Sequence, residues 1–349
     1  TGFSITSASY DSKTFDPASQ ETNPRDIAFN SDGTKAYFIG VGADTVFQYS
    51  LSTAYDISTA SYDSVSFSIA AQENEPQGLT FNSDGTKMFV VGTTGDDVNE
   101  YTLSTGFDIS TASYSQVFSV SAQDTAPSAI KFNSDGTKMF IAGSGSETIY
   151  QYTLTTGFDV STASYASKSI SVSSQESVLQ GLAFNNDGTK MFITGTNGDE
   201  INEYTLTTGF DLSTASFSSN LFSVSSQSTA PQSVTFNSDG TKMYITDNNG
   251  VFQYSSASTS YTNQMNKTQL DAVPDANHFT LGNDLDLAII FNMSSGTTVP
   301  SSDGVSINFD ANSLNQGAIL GTDYNWDFPA ANKVRITSLA AQNLKVRVL

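Results

Sequence analysis

The sequence of 349 residues has no cysteine, one histidine (His278) and one tryptophan (Trp326). Disulfide frameworks, thiol nucleophiles, thiolate metal sites and clusters of imidazole ligands are thereby excluded. Any catalysis would rest on carboxylates, hydroxyls or amides. Basic residues are scarce as well: 14 Lys and Arg against 35 Asp and Glu give a formal charge of −21. Such a field repels phosphate backbones and anionic lipid surfaces, so neither nucleic acid nor a membrane is expected as a partner. Long hydrophobic runs are missing too. Stretches such as 287–291 fall far short of the roughly 20 residues that a spanning helix needs, and a soluble chain is expected. The chain opens at Thr1, so a processed leader would not be visible in it.

What is present is a repeat. Phe29-Asn30-Ser31-Asp32-Gly33-Thr34-Lys35 recurs from Phe81, Phe132, Phe184 and Phe236, at intervals of 52, 51, 52 and 52 residues. Each copy places an Asp-Gly turn between two short apolar segments, for example 76–81 and 87–92, which reads as a hairpin because Gly supplies the positive φ of a tight connection. A third strand (98–103) and a fourth (about 112–120) follow. Four short strands per unit, a period near 50 and no helical periodicity predict the blades of a β-propeller.

The hairpin and third strand occur five times, the last ending at Tyr254. The fourth strand also occurs five times, but its first copy opens the chain: Ser7-Ala8-Ser9-Tyr10 to Thr14-Phe15 corresponds to Thr59-Ala60-Ser61-Tyr62 to Ser66-Phe67. An all-β, five-bladed propeller is therefore expected over residues 1–258, with residues 1 to about 18 supplying the outer strand of the last blade and leaving no unpaired edge at the seam.

The Asn-x-Asp-Gly-Thr-Lys phrase and the later Val-x-x-Tyr strand resemble the repeats of YVTN/NHL/WD40-like propellers. The Thr-Gly-Phe-Asp-Ile-Ser-Thr-Ala-Ser-Tyr connection resembles repeats of marine bacteriophage virion or tail-fibre proteins and of secreted proteins of aquatic bacteria. The resemblance spans about residues 1–258 and implies a propeller in an extracellular or virion setting. It implies no activity, since this fold hosts lectins, hydrolases and scaffolds alike.

Two faces follow from propeller connectivity. The Asn-x-Asp-Gly-Thr turns and the Phe-Asp-x-Ser-Thr connections share one face, where turn chemistry accounts for them. Ca²⁺ is the one cofactor these turns suggest, but the third acidic position of a calcium loop is missing. On the other face the copies diverge. There each second-to-third-strand loop brings a carboxylate, with Asp44, Asp97, Glu147, Glu200 and Asp247 as candidates, and each blade-to-blade loop brings Gln20, Gln72, Gln123, Gln175 or Gln227. Amides and carboxylates repeated around a channel suit sugar hydroxyls or a hard cation. The plainer alternative is that the Gln side chains tie down their own loops and the acids are simply solvated.

An enzyme would need acids that break the repeat. The one departure noted is Arg25-Asp26, where the other copies have Gln77-Gly78, Ser128-Ala129, Gln180-Gly181 and Gln232-Ser233. His278 lies outside the repeats, which argues against a Ser-His-Asp triad.

After Tyr254 a Ser/Thr-rich stretch, 255–260, reads as a linker. Residues 259–349 then show alternating segments at 285–291, 305–309, 333–337 and 343–349 with Asn and Gly turns between them. A small antiparallel β-sandwich is expected, serving attachment or oligomerisation. Asp284 and Asp286 fall on solvent-facing alternate positions in the simplest account. The expectation is a non-enzymatic extracellular or virion surface structural protein whose propeller is a rigid platform, with surface-assembly subunits and a host cell-surface glycan as partners. A lectin-like adhesin and a polysaccharide-degrading hydrolase are the alternatives.

Overall fold

The computed structural model describes residues 2–255 continuously and, beyond them, seven strands within 279–344. The chain divides into two units, 1–260 and 261–349. In the first, blade 1 comprises β2 (Pro24–Phe29), β3 (Lys35–Gly40), β4 (Thr45–Leu51) and β5 (Ala60–Ser68). Blade 2 comprises β6 (Pro76–Phe81), β7 (Lys87–Gly92), β8 (Asp97–Leu103) and β9 (Ala112–Ser119). Blade 3 comprises β10 (Pro127–Phe132), β11 (Lys138–Gly143), β12 (Thr148–Leu154) and β13 (Ala163–Ser171). Blade 4 comprises β14 (Leu179–Phe184), β15 (Lys190–Gly195), β16 (Glu200–Leu206) and β17 (Ala215–Ser223). Blade 5 contains β18 (Ser233–Phe236), β19 (Lys242–Asp247) and β20 (Gly250–Ser255).

The fourth strand of blade 5 is β1 (Ser9–Phe15), paired antiparallel with β20 so that Tyr10 faces Tyr254 and Phe15 faces Val251. The first strands close the ring, β2 against β6, β6 against β10, β10 against β14, β14 against β18 and β18 against β2. The expected five-bladed closure is therefore present.

The alternation that makes these strands also builds the core. The second strands are buried almost throughout, and Tyr37, Phe89, Phe140, Phe192 and Tyr244 are fully inaccessible. Each faces a neighbouring blade, and the rings meet those of the first strands: Phe29 with Tyr244 at 4.6 Å and Phe89 with Phe132 at 4.6 Å. Burying such rings between sheets supplies most of the cohesion of a fold without disulfides.

The repeat motif is explained residue by residue. Asp32 accepts from Thr34 N and Oγ1 (2.9 and 2.6 Å), and Asn30 Oδ1 accepts from Lys35 N (2.9 Å). The same bonds recur at Asp84, Asp135, Asp187 and Asp239. Gly33 takes φ +73°, and a Cβ there would lie 2.3 Å from the Tyr55 ring, so only glycine satisfies both the turn and the packing. The ring that covers this glycine sits on a left-handed residue in every blade: Phe3, Tyr55, Phe107, Phe158 and Phe210. The motif's lysine reaches the following blade's connection, Lys87 to Phe158 O (2.6 Å) and Lys138 to Phe210 O (2.9 Å).

Two features were not expected from sequence. Each connection Asp56, Asp108, Asp159 and Asp211 caps a one-turn 3₁₀ helix by accepting from the N–H two residues on. The outer strands β1, β5, β13 and β17 carry bulges with Ser12, Ser64, Ser167 and Ser219 in left-handed conformation. In β9 a single residue, Ser115, is skipped between Tyr114 and Gln116, which accounts for the interval of 51. Bulges on an exposed edge strand hinder pairing with another sheet.

In the second unit, the described strands pair antiparallel: Phe279–Leu281 with Gln342–Leu344, Thr298–Pro300 with Ser306–Asn308, and Lys333–Ser338 between Ala288–Asn292 and Tyr324–Ala330. The linker 255–260 beyond Ser255, and Asp284 and Asp286, lie outside the described residues, and the sandwich arrangement is not among the features described. Among the described residues no helix is long and apolar enough to cross a membrane.

Candidate functional site

The turn face carries the connections between first and second and between third and fourth strands, joined by bonds such as Tyr55 N to Gly33 O. The opposite face, the loop face, carries the second-to-third-strand loops and the blade-to-blade loops. They are joined by bonds such as Ile69 N to Asp44 O and Val172 N to Glu147 O.

The five glutamines are half-buried on the loop face. Four accept a hydrogen bond at Oε1 from a buried tyrosine of a third strand: Gln20 from Tyr49 (3.0 Å), Gln123 from Tyr152 (3.1 Å), Gln175 from Tyr204 (2.7 Å) and Gln227 from Tyr254 (3.3 Å). Burial pushes the Tyr204 hydroxyl up to about 12, so it remains a donor across the physiological range. In blade 2 the equivalent Tyr101 hydroxyl is buried without a partner, and Gln72 makes no such bond.

The five acids do not occupy one repeated position. Asp44 and Glu147 sit on the left-handed loop residue, for which blades 2 and 4 use Asp96 and Asp199. Asp97 and Glu200 instead begin β8 and β16. Asp247 ends β19, is buried, and accepts from Asn249 N at 2.7 Å. Burial, with Glu73 nearby, raises the carboxyls of Asp44 and Asp97 above the ordinary range. Asp97 also accepts from Asn99 Nδ2 at 2.6 Å. None of the ten glutamines and acids is hydrogen-bonded to another, and among the described residues no group of three or more His, Asp or Glu side chains is placed to hold a metal ion.

The residues that organise the loop face stand one position after the glutamines. Glu21, Glu73, Asp124, Glu176 and Ser228 are all at most 4 % exposed. Glu21 accepts from the backbone N–H groups of Asn23, Gly42 and Ala43 (2.7, 2.9 and 3.1 Å). Glu176 does the same for Val178, Asn197 and Gly198 (2.8, 3.3 and 3.1 Å). A buried carboxylate with several N–H donors is a strong local tether. The signal was present in the sequence as an acid after each Gln in four of five copies.

The Arg25-Asp26 departure lies beside the central channel. Arg25 Nη1 donates to Gln232 Oε1 (2.6 Å) in the neighbouring blade, and burial lowers the guanidinium's pKa. Asp26, 2 % exposed, accepts from Ile27 N (2.8 Å) and from Leu79 N of blade 2 (3.0 Å). Its Oδ2 also lies 3.9 Å from Lys131 Nζ of blade 3. Sequence reasoning missed Lys131, which occupies the place held by Ala28, Thr80, Ala183 and Thr235 in the other copies. A cavity of about 450 Å³ occupies the end of the channel toward the turn face, lined by Phe29, Phe81, Phe184 and Phe236 and by Lys131.

No protein-family model and no curated protein matches the chain. Solved structures of distant similarity include the following three. One is a functionally unknown protein from Desulfotomaculum acetoxidans DSM 771, at 12 % identity over 64 % of this chain and 62 % of that one, TM-score 0.41. Another is a protein from Lactobacillus plantarum, at 18 % identity over 56 % and 53 %, TM-score 0.40. The third is a periplasmic gluconolactonase from Pseudomonas aeruginosa, at 16 % identity over 52 % and 50 %, TM-score 0.38. The chain thus spans less than two thirds of the length of each of these proteins. Likenesses this distant carry nothing about activity.

Proposed function

We propose that the chain is a non-enzymatic structural protein of an extracellular or virion surface, whose propeller is a rigid platform presenting its divergent loop face to a partner. The observation that supports this reading is the use of the repeated polar groups. Turn aspartates, loop glutamates and four of the five glutamines hold backbone or tyrosine hydroxyls of the propeller itself. Side chains so committed are suited to holding loops of varied sequence in place, not to chemistry. The single carboxylate that breaks the repeat in the channel, Asp26, is likewise bound to two backbone N–H groups. The 261–349 unit would attach or oligomerise the platform.

One observation favours a second reading, a lectin-like adhesin. On the loop face, Asp44 Oδ1 and Asn23 Oδ1 are buried acceptors without partners in the structure, a disposition that suits a hydroxyl-bearing ligand or a hard cation. A glycan array combined with melting in the presence and absence of Ca²⁺ separates the two. The platform reading expects no glycan above background and no shift with Ca²⁺. A bound glycan whose signal is lost in Asp44→Asn would replace it with the lectin.

A further inference from the structure

We infer that the central channel is a small-molecule site, and that its ligand is a small organic carboxylate, with its anionic group on Lys131 and its apolar body among the inner-strand phenylalanines. Three observations converge on it. The cavity, about 450 Å³, falls in the range of ligand sites. Its walls are partly exposed edges of Phe29, Phe81, Phe184 and Phe236, which favour an apolar body over a bare inorganic ion. The ammonium of Lys131 is the one formal charge in the lining, and no carboxylate lines the cavity, so an anionic acceptor is favoured over a cation.

The state of Lys131 carries the argument further. Each Asp26 oxygen accepts one backbone N–H, from Ile27 and from Leu79, and at 3.9 Å the nearer oxygen stands beyond hydrogen-bond distance of the ammonium. The pair fixes the lysine's position by charge but leaves its N–H donors without a protein acceptor among the described residues. A partly buried ammonium in that state gains from an incoming carboxylate, which forms the short charge-assisted bonds Asp26 does not. In a chain of near-identical copies, two departures from the repeat, in blades 1 and 3, meet beside one cavity. This site is on the turn face and does not depend on the platform reading of the loop face.

The test uses the full chain and two probes of one shape, benzoate and the neutral benzamide, with saturation-transfer NMR measuring affinity for each. Benzoate should bind, more tightly than benzamide. Lys131→Met should weaken benzoate by about tenfold or more while leaving benzamide unchanged. Asp26→Asn removes the competing negative charge and should tighten benzoate. Melting curves establish that each variant is folded. If Lys131→Met does not fold, Asp26→Asn and the wild-type preference decide alone. Absence of benzoate binding, equal affinity for the two probes, or an Asp26→Asn variant that binds benzoate no better than wild type would overturn the assignment.

Discussion

On the turn face, five copies of Asn-x-Asp-Gly-Thr close the same bonds within five residues of one another, and their backbones hardly differ. On the loop face, the anchor in four blades is a side chain, Glu21, Glu73, Asp124 or Glu176, that reaches about twenty residues along the chain to backbone N–H groups, whereas Ser228 in the fifth reaches Ala230 N, two residues on. The first device fixes the sequence as well as the shape. The second fixes the shape and leaves the sequence free, because an N–H donor is the same in every residue but proline. Variation is therefore tolerated on the loop face, where loops held by their backbone N–H groups are able to change composition without disturbing the sheets.

The seam serves both faces at once, and its loss is the most damaging change. Deleting residues 1–18 removes β1 and exposes the edge of β20. The loss should exceed about 5 kcal/mol, most of a typical domain's stability, and should abolish cooperative melting by circular dichroism. A truncated chain that still melts sharply near the wild-type temperature would contradict closure by β1.

Next in size is the loop anchor itself. Glu176→Ala strands three backbone N–H groups in a buried site and should cost about 3 kcal/mol in denaturant unfolding. Ser228→Ala, in the blade where a hydroxyl replaces the carboxylate, should cost less than about 1 kcal/mol. Similar losses would show that the carboxylates are not the anchors.

The glutamine ring offers a smaller contrast. Tyr204→Phe breaks the bond to Gln175 and should cost about 1 kcal/mol, whereas Tyr101→Phe removes a hydroxyl with no partner and should be neutral or stabilising. Equal effects would imply that the Gln–Tyr bonds add nothing.

The smallest effect is electrostatic and lies on the turn face. The Lys168 ammonium, 2.7 Å away, holds the Asp211 carboxyl down at about 2, below its ordinary 3.8. A carboxyl depressed in the folded state stabilises above its unfolded pKa and loses that contribution as pH falls through its folded one. The melting difference between wild type and Lys168→Met should therefore be constant above about pH 5 and shrink between pH 4 and 2. It should stay small throughout and diminish with salt, since Lys168 is a third exposed.

Most of the propeller was legible because its information is local and repeated. Asp-Gly turns name hairpins, and counting fourth strands reveals the missing one. The 3₁₀ turns and the bulges escaped because each depends on one residue's backbone, which alternation does not report. At the loop face, sequence drew attention to the glutamines, although their neighbours do most of the tethering. Two adjacent polar residues look alike until register decides which of them points inward. Lys131 was hidden for a related reason: its position carries Ala, Thr, Ala and Thr elsewhere, so its significance appears only once Asp26, two blades away, is seen beside it.

The pairing of Ser9 with Ser255 also bears on time. A contact between such distant points of the chain is expensive to reach by diffusion and is expected late, after local hairpins have formed. A join made after the folding transition state adds little to the speed of folding and slows the reverse process. The clasp at blade 5 would then act as a clock, setting how long the assembled ring persists once it has formed.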